Sequence, residues 1–214
     1  MTTPHRLALR DLHIRLGDTP LVALDAEIGP GEVLTVMGPS GSGKSTLLAC
    51  LAGFLAPEFA ASGRILLDGR DLTPLPAERR GIGLLFQDPL LFPHLSVAGN
   101  LRFGLAGTGA DKAARVEQAL AHVGLAGFGE RDPATLSGGQ KARVALMRLL
   151  LSAPSAVLLD EPFSKLDTHL RQAMRRLVFE HLREAGLPSL LVTHDREDAE
   201  AAGGRVIELS PAGR

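Results

Sequence analysis

Short apolar runs recur along the chain, and each of them ends in polar residues. Six such runs are Val33–Met37, Ile65–Leu67, Ile82–Phe86, Ala156–Leu159, Leu190–Thr193 and Val206–Leu209. Short, nearly continuous apolar runs are typical of strands covered on both faces, as in a parallel sheet. Residues 7–14 instead alternate apolar and polar side chains. This alternation predicts a half-exposed antiparallel strand near the N-terminus.

Helical patterns lie between these runs. Residues 166–185 place six apolar side chains on one stripe, and Arg171 and Arg175 fall largely off it, which predicts an amphipathic helix. The apolar stretch Leu47–Ala56 predicts another helix, packed behind the loop that precedes it. Residues 88–151 are mainly helical in pattern and interrupt the alternation of strands with helices.

This order of elements predicts one α/β domain over residues 1–214 with a mainly parallel sheet. We expect a core formed by residues 1–87 and 152–214, with an antiparallel β subdomain at its N-terminus. Residues 88–151 are expected to form an inserted α-helical subdomain. In such a fold, ligands bind beyond the carboxyl ends of the parallel strands.

Composition narrows the classes of function. The 214 residues carry a formal net charge of -1, and no apolar stretch reaches the ~18–20 residues that span a bilayer. No basic excess exists to attract a nucleic acid, so we expect no nucleic-acid partner. The single cysteine excludes an internal disulfide and fits a reducing, cytoplasmic compartment.

A glycine-rich loop directly follows the run Val33–Met37. It reads Gly38, Pro39, Ser40, Gly41, Ser42, Gly43, Lys44, Ser45, Thr46. Glycines let the backbone curl so that several N–H groups point inward, and the following helix adds its positive end. Lys44 can reach the β- and γ-phosphates, and the Ser45 hydroxyl can ligate Mg²⁺. The alternative is an ordinary glycine-rich turn before a helix, but the flanking strand and helix favour a P-loop that binds a nucleoside triphosphate.

Two adjacent carboxylates follow another apolar run. Asp160 and Glu161 come at the end of Ala156–Leu159 and precede Pro162. Asp160 would hold Mg²⁺ through water, and Glu161 would orient or deprotonate the attacking water. The alternative is a solvated turn closed by Pro162.

A second glycine-containing motif opens the helical pattern of residues 141–151. It reads Leu136, Ser137, Gly138, Gly139, Gln140. Ser137 and Gln140 have the spacing of a capping box, but a capping box does not require two glycines in the first turn. The helix end is therefore predicted to form a second cradle for anions. Either the chain binds two nucleotides, or this cradle serves a nucleotide held by another copy.

The sequence resembles the ATP-binding cassette (ABC) ATPases, the motor subunits of ABC transporters. Leu136–Gln140 matches the signature of that family, and the other motifs follow in the family's order over essentially the whole chain. By this resemblance, Gln87 is the Q-loop glutamine that contacts Mg²⁺ and links to the membrane partner. Residues 164–167 form the D-loop, in which Asp167 crosses the dimer interface. His194 is the switch histidine that stabilises the γ-phosphate and the attacking water.

The resemblance also implies cofactors and partners. It implies a head-to-tail homodimer with two ATPs, each held with Mg²⁺ between one copy's phosphate loop and the partner copy's Ser137 and Gly139. The chain would lie in the cytoplasm, on the inner face of the membrane, bound to transmembrane permease subunits in a system with a solute-binding protein.

Residues 88–97 resemble the cassettes of bacterial small-solute importers, and residues 132–146 resemble the short YnjD-type subunits. We hypothesise that Leu90, Leu91 and Phe92 line the groove that receives the permease; the alternative is that they form the core of the helical lobe. Two other functions remain open, namely an ABC-type ATPase of a soluble complex and the motor of an exporter or lipoprotein-release system. A P-loop kinase is disfavoured, because kinases have no use for Leu136–Gln140.

One position departs from the family. Most relatives stack adenine on an aromatic residue before a Gly-Asp turn, where this chain has Leu16 before Gly17, and it contains no Tyr or Trp. Leucine covers one face of a purine without the stacking contribution of about 1 kcal/mol, unless His13 takes that place. We therefore expect modest nucleotide affinity with weak preference for adenine over guanine.

Overall fold

The computed structural model describes residues 4–105 and 111–209, which divide into two compact units. The first unit comprises Met1–Leu84, Ser155–Glu161 and Arg175–Arg214, as far as these are described. The second comprises Leu85–Pro154 and Pro162–Met174, with the same restriction. The predicted helical segment, residues 88–151, lies within the second unit.

The described residues contain nine strands and six α-helices. The strands are β1 Leu7–Leu16, β2 Thr19–Ile28, β3 Val33–Met37, β4 Phe59–Leu67, β5 Arg70–Asp71, β6 Ile82–Leu85, β7 Ala156–Asp160, β8 Ser189–Val192 and β9 Val206–Glu208. The helices are α1 Lys44–Ala52, α2 Val97–Gly104, α3 Lys112–His122, α4 Gly138–Leu151, α5 Thr168–Glu184 and α6 Arg196–Ala202. Short 3₁₀ turns cover Ala77–Arg79 and Pro133–Thr135.

Four strands form an antiparallel sheet in the order β2-β1-β4-β5. In β1, Leu12 and Ile14 are buried, whereas His13 and Arg15 are exposed, as a sheet with one covered face requires. The antiparallel strand predicted from residues 7–14 is thereby confirmed. Strand β2, which the sequence analysis missed, alternates in the same way and follows β1 after a turn of two residues.

The other five strands form a sheet in the order β6-β7-β8-β3-β9. Strand β3 pairs in parallel with β8 and with β9, and β7 pairs in parallel with β8. All residues of β8 are buried, as are the first four of β3 and of β7, which explains their nearly continuous apolar sequence. The segments that follow β3, β7 and β8 therefore share one edge of the sheet.

Some predictions about this unit were wrong. The run Val206–Leu209 contains β9, whose residues are exposed or partly exposed and are not covered on both faces. The run Ile65–Leu67 is the end of β4, which belongs to the antiparallel sheet and has mostly exposed residues before Ile65. The helix expected over Leu47–Ala56 ends at Ala52, because Gly53 adopts a left-handed conformation (φ 90°) and caps it. A side chain at residue 53 would also meet the Arg80 guanidinium, which donates to the backbone carbonyls of Cys50 and Leu51.

In the second unit, α2, α3 and α4 pack together around buried apolar side chains. Val97 and Leu101 of α2 and Val144 of α4 are fully buried. Ser96 caps α2 by accepting a hydrogen bond from the Gly99 N–H. Helix α5 confirms the amphipathic helix predicted over residues 166–185. It belongs to the second unit up to Met174 and to the first unit from Arg175 onward.

Candidate functional site

The glycine-rich loop joins β3 to α1 in the first unit. Gly41 and Gly43 have φ values of 81° and 89°, in the left-handed region that favours glycine. A Cβ atom on Gly43 would lie 2.9 Å from Val22 Cγ2, whereas one on Gly41 would meet nothing within 4 Å. Gly43 is thus required by packing, and Gly41 leaves open space over the loop for a ligand.

Lys44 lies across this loop. Its ammonium group donates hydrogen bonds to the backbone carbonyls of Gly38 (2.7 Å) and Pro39 (2.8 Å), and the residue is only 8% exposed. The next residue, Ser45, is exposed. Ser42 Oγ is buried and makes no hydrogen bond with the described residues. The loop therefore offers a cradle with a cation at its base, as binding of an anionic phosphate requires.

The acid pair lies at the same edge of the sheet. Asp160 is the last residue of β7, and burial followed by the neighbouring Glu161 carboxylate raises the pKa of Asp160, with Lys44 opposing that shift. Glu161 has a left-handed backbone (φ 43°), and its N–H donates to the Val192 carbonyl of the adjacent strand (2.9 Å). A non-glycine residue in this conformation costs about 1–2 kcal/mol. Such strain is typical of functional sites.

His194 follows β8 and contacts the acid pair. Its Nδ1 atom lies 2.9 Å from Glu161 Oε1, and its side chain is 65% exposed. The structure thus brings the predicted site residues Glu161 and His194 into contact. An exposed imidazole beside a carboxylate can donate to or accept from a ligand at this edge.

One feature of this region was not predicted. Arg175, expected off the apolar stripe of its helix, is only 5% exposed and binds three carboxylates, those of Asp195, Glu197 and Asp198. A position off the apolar stripe is ordinarily exposed, but here the three acids neutralise the guanidinium and permit its burial. Three acids within four residues at the start of α6 are the sequence signal that could have indicated a buried cation.

The second glycine motif lies in the second unit. Ser137 Oγ accepts from the Gln140 N–H (3.3 Å), and Gln140 Oε1 accepts from the Ser137 N–H (2.9 Å), which completes the predicted capping box. Ser137 and Gly138 are exposed, and a Cβ on Gly138 would meet nothing within 4 Å. Gly139 is buried, and its Cβ would lie 1.9 Å from Leu170 Cδ2. The two glycines therefore serve different purposes, and packing against Leu170 explains the second.

Gln87 also lies in the second unit, beside residues 164–167. Its amide nitrogen donates to Ser164 Oγ (3.2 Å), and Lys165 forms an ion pair with Asp88. Asp167 Oδ1 accepts from the Leu170 N–H (3.0 Å), near the start of α5. The structure thus joins the predicted Q-loop and D-loop by two side-chain contacts.

Leu16 ends the first strand of the β1–β2 hairpin in the first unit. It pairs with Thr19 across the two-residue turn and is 45% exposed. An exposed leucine at a hairpin end is available to a ligand, as its expected contact with a base requires. Among the described residues, no helix has both the length and the apolar composition needed to cross a bilayer.

Comparison with known proteins identifies the family. The sequence profile of the ABC transporter family matches residues 21–164, more than half of the chain. The thiamine import ATP-binding protein ThiQ of Cereibacter sphaeroides is 51% identical over 204 residues, which cover 94% of this chain and 87% of that protein. The uncharacterized ABC transporter ATP-binding protein YnjD of Escherichia coli is 45% identical over 198 residues, 91% of each chain.

A third relative is longer. The Fe(3+) ions import ATP-binding protein FbpC of Agrobacterium fabrum is 45% identical over 194 residues, which cover 89% of this chain but 54% of that protein. The three identities extend across both units of the fold. The chain therefore belongs to the ABC transporter family, as an ATP-binding ATPase subunit of the importer type.

Proposed function

We propose that this ATPase drives a small-solute importer and that hydrolysis is carried out by Glu161 and His194 beside the phosphate loop. The observation that supports this most directly is the contact between the Glu161 carboxylate and the His194 imidazole, 2.9 Å apart. The two residues follow strands β7 and β8, and the loop follows β3, so all three meet at one edge of the sheet.

The phosphate loop binds the triphosphate of ATP. Backbone N–H groups of residues 38–46 bind the phosphates, and the start of α1 adds its partial positive charge. Lys44 exchanges its two bonds to the Gly38 and Pro39 carbonyls for bonds to the β- and γ-phosphate oxygens. The loop's cradle and its buried cation support this assignment.

Oxygen-bearing side chains fit Mg²⁺, which prefers oxygen ligands and usually keeps several waters. Ser45 would contact the ion directly, and Asp160 would contact it through water. The bound ion would neutralise charge on the transferred phosphoryl group. The raised pKa of Asp160 fits a carboxylate whose charge is to be compensated by a cation.

Glu161 orients the attacking water and accepts its proton. His194 contacts Glu161 through Nδ1, which leaves Nε2 for the γ-phosphate or the water. Water attacks phosphorus, the bond to the ADP oxygen breaks, and inorganic phosphate and ADP leave. The two side chains need no large movement, because the strands already place them in contact.

A second copy completes each site. Ser137, Gly138, Gly139 and Gln140 would cap a nucleotide held by the phosphate loop of the partner copy, with Asp167 at the same interface. Exposure of Ser137 and Gly138 at the start of a 14-residue helix supports this role, because helix N-termini attract anions. The active form would therefore be a head-to-tail homodimer with two ATPs.

The second unit would bind the transmembrane permease, which would hold the chain at the inner face of the membrane. Leu90 is 57% exposed, and Leu91 and Phe92 are partly exposed, which favours a docking surface over lobe core. Phe103, 69% exposed, packs edge-on against Phe92, with 4.5 Å between ring centroids. Arg148 supports this surface by donating to the carbonyls of Pro89 and Leu90. A solute-binding protein would deliver the small solute to that permease.

The test of this proposal is Glu161→Gln, with the exposed Glu200→Gln on α6 as a matched control. The variant should bind ATP like the wild type, hydrolyse it about 10²–10⁴-fold more slowly and accumulate as an ATP-bound dimer. ATPase rates and size-exclusion chromatography with and without ATP measure both effects. Near-normal turnover would remove Glu161 from its role, and a monomer with bound ATP would contradict the shared site.

A further inference from the structure

Side-chain hydrogen bonds hold the residues on both sides of His194. Thr193, only 1% exposed, donates from Oγ1 to Asp198 Oδ2 (2.9 Å). The same oxygen accepts from the backbone N–H of Asp195 (3.0 Å). One buried hydroxyl therefore links the residue before His194 to the residue after it and to the first turn of α6.

Asp198 is in turn held by a cation from another helix. Arg175 of α5 donates through Nε to Asp198 Oδ1 (2.5 Å), and Asp198 is only 2% exposed. The same guanidinium donates to Asp195 Oδ2 (2.9 Å) and to Glu197 Oε2 (2.7 Å). All three acids lie in residues 194–198, so the contacts of Arg175 connect this segment to α5.

The buried carboxylate of Asp198 depends on the positive charge of Arg175. A buried carboxylate without a cation is strongly unfavourable, so removal of Arg175 would make Asp198 either take up a proton or move towards water. Either change would act on Thr193, because its hydroxyl bonds directly to Asp198. The backbone that carries His194 would then shift, and with it the imidazole beside Glu161.

We propose that Arg175 is a positioning residue for hydrolysis: through Asp198 and Thr193 it fixes the backbone at His194 and holds the imidazole against Glu161. The inference rests on the roles proposed for Glu161 and His194. It assigns Arg175 no contact with ATP. A displacement of about 1 Å at a catalytic group can lower a rate about 10²-fold, so the network can affect turnover without affecting affinity.

A double-mutant cycle on the full chain tests this inference. The variants are Arg175→Met, His194→Ala and the double variant, with Arg176→Met as control because Arg176 is the next residue of α5 and is exposed. Single-turnover hydrolysis of radiolabelled ATP gives the rate constant, and a separate titration gives the ATP affinity. A purely stabilising role for Arg175 would lower the rate by the same factor in both backgrounds.

We expect Arg175→Met to lower the rate about 10- to 100-fold in the wild-type background and less than about twofold in the His194→Ala background. ATP affinity should stay within about twofold of wild type, and Arg176→Met should have no effect. Equal losses in both backgrounds would overturn the positioning role. If His194→Ala alone leaves the rate unchanged, the proposed function of His194 fails instead.

Thr193→Val provides an independent cycle if Arg175→Met does not fold. It replaces one buried hydroxyl with a methyl group of similar volume and leaves the Arg175–Asp198 pair in place. We expect the same pattern, a loss of rate that disappears in the His194→Ala background. A wild-type rate for Thr193→Val would show that the network does not position His194.

Discussion

His194 Nδ1 lies 2.9 Å from Glu161 Oε1, although 33 positions separate the two residues in the chain. Their parent strands, β7 and β8, pair in parallel with Asp160 opposite Val192. The Glu161 N–H bonds to the Val192 carbonyl, so the sheet holds Glu161 in its left-handed backbone conformation. Strand register, rather than side-chain flexibility alone, therefore sets the spacing of this pair.

Asp160→Asn should stabilise the nucleotide-free chain and impair its activity. The folded-state pKa of Asp160 is raised by burial and by Glu161, so its contribution to stability is fully present below the ordinary value of 3.8 and is lost as pH rises through the folded-state pKa. The amide cannot ionise and avoids this loss. We expect Tm at pH 7.5 to rise by roughly 2–4 °C, the shift that about 1 kcal/mol produces in a chain of this size.

That gain should shrink as pH falls from 7.5 through the raised pKa of Asp160, because the wild-type carboxyl then takes up its proton. Thermal denaturation without nucleotide measures it, with the exposed Glu180→Gln as control. With Mg²⁺ present, hydrolysis of ATP by Asp160→Asn should fall about 10- to 100-fold. A Tm gain that grows on acidification would have the wrong sign for a raised pKa.

Leu16→Tyr should increase affinity for ATP. Leu16 is exposed at the end of β1, and an aromatic ring at that position would stack on the purine for about 1 kcal/mol, which is roughly fivefold in Kd. The wild type should bind ATP and GTP within about threefold of each other, since phosphate contacts do not distinguish bases. Titrations with both nucleotides test this, with Leu16→Ile as control; strong discrimination by the wild type would contradict it.

The two glycines of the α4 N-terminus should respond differently to alanine. Gly139→Ala brings a methyl group against Leu170 and should destabilise the chain by about 1–3 kcal/mol, with partial rescue by Leu170→Ala. Gly138→Ala meets open space and should keep or slightly raise Tm.

If Gly138 contacts the partner copy's nucleotide, Gly138→Ala in the Glu161→Gln background should weaken the ATP-dependent dimer. An unaffected dimer would argue against that contact.

Phe103→Glu should weaken binding to the permease without unfolding the chain. The side chain is largely exposed beside Phe92, so a charge there is solvated in the free protein but is buried without a partner at an apolar interface. Co-purification with the membrane subunit should fall at least about tenfold, while Tm changes little. Val206→Glu, at an exposed apolar position of the first unit, is the control. A large loss of Tm would instead assign Phe103 to the core of the lobe.

Local patterns in the sequence predict the parallel sheet and its loops. The runs that form β3, β7 and β8 are nearly continuously apolar because both faces of these strands are buried. The glycine-rich loop after β3 and the acid pair at the end of β7 are recognisable because their functional residues are adjacent in the sequence. His194 and Gln87 were predicted from the family resemblance, because an isolated histidine or glutamine has no pattern of its own that indicates a function. The sequence likewise predicted that residues 88–151 are mainly helical, and α2, α3 and α4 lie in that segment.

Interactions between distant residues were not predictable. Arg175 is buried only because Asp195, Glu197 and Asp198 surround it, a fact that depends on how α5 and α6 pack. Gly139 appears in sequence as an open cradle, whereas in the fold it makes room for Leu170. The end of α1 at Gly53 depends on backbone conformation and on Arg80, which lies 27 residues later in the chain.

The bonds of Lys44 to the carbonyls of Gly38 and Pro39 have a consequence for the catalytic cycle. Through these two hydrogen bonds the side chain of Lys44 ties the start of the loop to the start of α1. On the proposed role of Lys44, ATP would replace these two hydrogen bonds and would not have to order a flexible segment, so less binding energy would be lost to conformational entropy. Release of ADP and phosphate would let Lys44 form its two bonds to the loop carbonyls again.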